Sequence, residues 1–172
     1  GSTTFLLHLA GELVRRGISV EVLSFERENP LASDFQKQTI LTLCLDQRRM
    51  IFEDRLRMIL KHLSEFQPGA VIANLGSASF EVLRYLPTGV FRIGVIHSDD
   101  SAVYEMGGNY LGHFDLLAVV SARIRETMLS LPRFGQIPVK YLPLGVPMPS
   151  ATDLLERSFV TPLRILYLGR LD

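Results

Sequence analysis

His97 closes the run Val90 to Ile96 (VFRIGVI), where a buried strand would deliver its last side chain to an open rim and not to the core. A neutral imidazole there donates to a carbonyl or sugar hydroxyl, or exchanges protons near neutral pH. A loop histidine bonded to a backbone carbonyl is the plain alternative. Other groups fit the same rim. Asn74, Gly76 and Ser77 follow the apolar run from Ala70 as a small, polar strand-to-helix turn, able to bond a polar ligand or simply to make a tight junction. Asp99 and Asp100 offer adjacent carboxylates, but without a third ligand nearby they make a poor metal site. Capping of a helix by Ser98 or Asp99 accounts for them. Ser121 follows LLAVV and is placed to cap the next helix.

Phosphate chemistry is the second theme. Gly1 to Thr4 precede a helix, whose first N–H groups and dipole favour an anion, with hydroxyls from Ser2, Thr3 and Thr4 as added donors. Ordinary helix capping explains the same residues. Arg170 follows Gly169 at the end of an alternating apolar run, and a guanidinium there suits a diphosphate because it bonds phosphate oxygens in pairs. A surface arginine in a turn is the alternative. His8, His62 and His113 show no ligand spacing and Cys44 has no partner, so a zinc site is not expected. Neither a G-x-S-x-G elbow nor a G-x-x-x-x-G-K-[ST] loop occurs.

The elements that must hold these residues alternate along the chain. Leu6, Leu9, Ala10 and Leu13 recur at helical spacing, with Gly17 as the cap that ends the helix. Ile18 to Phe25 and Ile40 to Leu45 read as strands, and the polar stretch 26–37 with Pro30 as a loop. The longest helix is expected from Gln47 to Phe66. It is followed by a strand from Ala70, a helix to about Leu86, the strand ending at His97, and a helical or irregular piece broken by Gly107-Gly108. A strand over Leu116 to Val120, a helix to about Leu131 and a strand over Val139 to Leu142 complete the pattern. Short apolar strands separated by helices imply an α/β fold: a doubly wound, mostly parallel Rossmann-like sheet with helices on both faces. Such a sheet starts on a central strand, whereas this chain opens on a helix. The expectation is that the first strand precedes residue 1 in the parent protein, leaving an interior edge that an exchanged strand, such as residues 163–168, could also fill.

Composition narrows the classes. The 172 residues are 47% hydrophobic with 18 basic and 18 acidic side chains, enough for one core and without the basic excess of a nucleic-acid binder. No apolar stretch approaches the ~20 residues of a membrane span. The cations of the long helix are interleaved with acids, which fits a solvated face and leaves peripheral membrane contact open. The single Cys44 in ILTLCL reads as a buried thiol in a reducing, cytoplasmic compartment. Gly1-Ser2 also matches the remnant of a cleaved tag.

Three stretches then line up with a family. GSTTFLLHLAGELVRRGISVEVLS resembles a Gly-rich loop, first helix and second strand; RIGVIHSDD with DLLAVVSARIRETM resembles a strand ending in His and a strand leading to a Ser-capped helix; YLPLGVPMP with RILYLGRLD resembles a crossover into a second domain. Together they resemble the amino-terminal half of a GT-B-fold retaining glycosyltransferase of the glycogen-synthase-like group, glycosyltransferase family 4. The resemblance implies transfer from a nucleotide-sugar donor to an acceptor (sugar, lipid or small molecule) without a metal. It also implies that the Gly1 loop approaches the donor phosphates, His97 the reacting sugar and Arg170 the diphosphate. Leu144-Gly145 departs from the Asn-Gly frequent in the family's crossover turn. It implies residues 1–149 as the acceptor-side domain, 150–162 as linker and 163–172 as the first strand of a donor-binding domain cut short, so that the fragment is inert alone. Two other readings stay open: a non-catalytic α/β module binding a small ligand or partner, and a sugar-nucleotide epimerase of the same fold.

Overall fold

The computed structural model of the chain describes residues 2–24, 31–38, 40–44, 50–74 and 77–145, without the side chains of Leu41, Leu43, Cys44 and Ser77. The elements alternate: α1 (Ser2–Arg15), β1 (Glu21–Ser24), α2 (Ala32–Lys37), β2 (Leu41–Cys44), α3 (Phe52–Phe66), β3 (Ala70–Asn74), α4 (Ser77–Val82), β4 (Phe91–Ile96), α5 (Ser101–Gly108), β5 (Leu116–Val119), α6 (Ala122–Ser130) and β6 (Val139–Tyr141). Every strand pair is parallel. Parallel neighbours cannot be joined by a tight hairpin, so the helices between them are the crossovers.

The strands form two groups, β1-β2 and β3-β4-β5-β6. In the larger group Ile93 pairs with Leu116 and Ile96 with Val119, and burial in β4 rises toward its carboxyl end. Its two faces feed different cores, as a period of two requires. Ile96, Leu117 and Val119 join Phe80, Leu83, Met128 and Phe134 on one face, whereas Val95 and Ala118 meet Phe5 of α1 on the other. Leu7 and Ala10 of the same helix pack with Val22, Phe35 and Ile40, so α1 touches both strand groups.

Local signals explain the ends. Gly17 adopts φ +78° after α1, and Ile18 N–H reaches back to the Leu13 carbonyl at 3.0 Å. This left-handed cap comes without strain only to glycine. The long helix stops at Gln67, itself left-handed at φ 53°, ahead of Pro68. Two expectations are corrected. Within the supposed loop 26–37, residues Ala32–Lys37 are helical because Phe35 is fully buried and anchors them. The long helix begins at Phe52, not near Gln47: Ile51 is extended, and the Met50 carbonyl accepts from Arg55 Nε at 3.2 Å. Gly107 and Gly108 are the last residues of α5, which ends at the expected glycine pair. The expected linker and last strand, residues 150–162 and 163–172, lie outside the described residues.

Gly94 sits where two layers meet: a Cβ there would stand 2.6 Å from Phe114 Cε1 and 2.9 Å from Leu117 Cδ2. Both neighbours are packed in the main core and cannot withdraw cheaply. Gly94→Val is therefore expected to lower unfolding stability by about 1–3 kcal/mol, readable from urea midpoints at unchanged slope. A wild-type midpoint would mean that this layer has slack.

Candidate functional site

The carboxyl ends of β3, β4 and β5 deliver Asn74, His97 and Ser121 to one rim of the sheet, and α1 begins there. His97 Nε2 donates to Asn74 Oδ1 at 2.6 Å. The amide oxygen accepts only, so the hydrogen lies on Nε2, and in the neutral ring the Nδ1 lone pair is left for a donor. Phe5 of α1 meets the imidazole edge to face, with centroids 5.1 Å apart and planes at 78°. Half-buried between these partners, the ring is harder to charge: burial holds its pKa below the ordinary value. His97 is thus a neutral hydrogen-bonding group at pH 7.

A second cluster stands beside it. Asp99 Oδ1 accepts from the Tyr104 hydroxyl of α5 at 2.5 Å, and Asp99 Oδ2 meets Arg123 Nε of α6 at 2.5 Å. Burial first, and then the bond to Asp99, push the Tyr104 hydroxyl up to about 12. Arg123 is largely exposed, so the pair adds little to stability. Its effect is to aim the carboxylate. The neighbouring Asp100, not Ser98 or Asp99, caps α5 by accepting from Ala102 N–H at 2.7 Å. Asp99 turns its oxygens to Tyr104 and Arg123 instead. Ser121 Oγ accepts from Ile124 N–H at 3.1 Å, which makes it the cap of α6 and leaves its O–H to donate outward.

The remaining expected site residues divide. Ser2 and Thr3 open α1, and their side chains border the same cavity as Asn74. Gly1, Gly76 and Arg170 lie outside the described residues, as does the side chain of Ser77. Sequence reasoning missed three participants: Phe5, Tyr104 and Arg123. Arg123 carried a signal, since a cation in the first turn of a helix opposes the dipole and calls for a compensating acid. Among the described residues, no group of three His, Cys, Asp or Glu side chains could hold a metal ion, and no helix is long and apolar enough to cross a membrane.

In comparisons with known proteins, residues 1–148 match the model of Glycosyltransferase Family 4, and the chain belongs to that family. Neither the curated proteins nor the solved structures contain a match.

The depressed His97 pKa has a consequence for stability. As pH falls through about 6.5 the unfolded chain takes up a proton that the folded ring refuses. The folded state is therefore unpenalised above that pH and loses ground below it, until folded His97 also protonates. His97→Gln should remove this part of the decline. Thermal melts of both forms at about pH 7.5 and pH 5 check it, and equal losses would clear His97 of the effect.

Proposed function

We propose that this family member is the acceptor-side half of an enzyme that moves a sugar from a nucleotide-sugar donor to an acceptor hydroxyl with retention of anomeric configuration. The observation that carries the reading is the neutral His97, held by Asn74 and Phe5 at the carboxyl rim beside the start of α1. A group that develops no charge of its own can accept from a sugar hydroxyl through Nδ1 and fix the ring against the attacking oxygen. The first turn of α1, with Ser2 and Thr3, faces the donor phosphates, whose charge its free N–H groups favour. Asp99, aimed by Tyr104 and Arg123, and Ser121 bind acceptor hydroxyls. Asn74 acts through His97, and Gly76 and Ser77 remain acceptor-side candidates by sequence. In transfer, the bond from the anomeric carbon to the diphosphate breaks with its electron pair going to phosphate, the acceptor oxygen bonds to the same face, and the proton of its hydroxyl passes to the departing diphosphate oxygen.

In this reading residues 1–149 form one wall of the cleft, and Arg170 belongs to the start of the other, where it holds the diphosphate. The acceptor class is a sugar, lipid or small molecule, the chemistry needs no metal, and the single Cys44 fits a cytoplasmic setting.

Three measurements test the proposal. The chain alone should show no transfer and no micromolar binding when titrated calorimetrically with a panel of nucleotide-sugars; tight binding would place the donor site in this half. In the complete enzyme, His97→Ala should lower turnover by roughly 10²–10³-fold with folding intact, and unchanged turnover would return His97 to a structural role. Arg170→Ala should weaken donor binding by about 1.5–3 kcal/mol, with Arg170→Lys recovering only part because an ammonium lacks the paired fork. Wild-type donor affinity in the alanine variant would remove Arg170 from the site.

A further inference from the structure

Folding gives no reason for Arg123. It stands in the first turn of α6, where a cation opposes the helix dipole and no acid offsets it. Its side chain is 84% exposed, and an ion pair so exposed returns little more than the dipole takes away. The guanidinium is nevertheless held in place. Asp99 Oδ2 meets it at Nε, 2.5 Å away. Asp99 is placed in turn by the Tyr104 hydroxyl, which donates to Oδ1 at 2.5 Å and accepts from Thr127 of α6. Tyr104 is buried in the main core, and Thr127 lies one turn along the same face of α6 as Arg123. Two helices and the loop after β4 thus converge on one carboxylate, which fixes the inner side of the guanidinium. The outer side differs. Its two terminal amino groups have no partner among the described residues. They belong to the rim, since Asp99 is two residues beyond His97 and Arg123 two beyond Ser121.

We propose that the outer fork of Arg123 is a subsite for an anionic group on the acceptor, a phosphate monoester or a carboxylate, and makes this domain selective for acidic over neutral acceptors. The inference rests on the sugar-transfer reading above and narrows its acceptor class. Three properties favour an anion. A guanidinium only donates, so a phosphate or carboxylate can accept from both amino groups at once, whereas a neutral hydroxyl cannot. The bond to Asp99 lies on the Nε side and leaves the paired edge open, so the planar fork is oriented before a ligand arrives. The helix dipole then changes sign in its effect. It disfavours Arg123 in the free domain, but an anion seated on the fork faces two positive groups in place of one. The donor diphosphate is the competing occupant, and the test separates the two.

The test uses the 172-residue chain and needs no turnover. Glucose 6-phosphate, glucuronate, glucose, inorganic phosphate and uridine diphosphate are titrated separately at low salt. Binding is followed by the Arg123 Nε–H resonance and the amides of residues 121–124. Glucose 6-phosphate or glucuronate should bind about tenfold or more tighter than glucose, the factor for one charge-assisted contact, and the gap should narrow at high salt. Arg123→Gln should erase the gap, and Arg123→Lys should keep only part of it. Arg57→Gln, which removes another exposed and paired cation on α3, should leave it unchanged. No detectable binding of either acidic sugar, affinities equal to that of glucose, or a gap that survives Arg123→Gln would overturn the proposal. So would inorganic phosphate or uridine diphosphate binding as tightly as the acidic sugars, because the fork would then be a general anion contact or part of the donor site. Binding is read without transfer, so this result and the effect of His97→Ala on turnover can fail separately.

Discussion

Helix α1 is the piece on which the rest depends. Leu7 and Ala10 pack on the β1-β2 group, while Phe5 reaches Val95 and Ala118 of the larger group. One amphipathic helix thus shares its apolar side between two cores that no strand pair joins among the described residues. On the opposite face α3 makes the matching tie, with Ile59 in the main core and His62 bonded to Glu21 of β1. Hydrophobic contact is non-directional, so these helices hold the groups close without fixing register. Register is the work of strand ladders, and the structure divides the two tasks.

The site draws on the better-fixed of the two groups. β4 is central in its group, its carboxyl end is the most buried part of the strand, and His97 follows directly. Close packing on this side explains how a modest set of bonds can orient an imidazole. Asn74 sets which nitrogen carries hydrogen, and Phe5 sets the tilt of the ring. A charged partner in place of Asn74 would favour imidazolium, whereas an amide keeps the ring neutral and acceptor-competent.

Much of this was legible in the residues. Strands such as VFRIGVI declare themselves by length and β-branching, and the Ser121 cap by its type at the end of LLAVV. His97 was placed at the rim by that strand alone, and Asn74 by its own. The short helix around Phe35 was not legible, since six residues are too few for a helical period and one buried aromatic decides the matter. Nor was the start of α3, where polar helix formers precede Phe52 but the chain at Ile51 runs extended. The Asp99, Tyr104 and Arg123 cluster joins a loop to two helices, a relation between elements that no local pattern encodes. Capping was assigned to Ser98 or Asp99 when Asp100 does it, an error of one residue that frees Asp99 for the rim.

The edge contact between Phe5 and His97 joins positions separated by most of the domain's sequence. An aromatic at position 5 supplies the dry flank that helps keep the imidazole uncharged, so a polar residue there would admit water and restore the ring's ordinary basicity. The two positions accordingly form one heritable unit. In the divergence of such domains a change at either should be tolerated only alongside a change at the other, and covariation between them would record which lineages still use an uncharged imidazole and which have abandoned it.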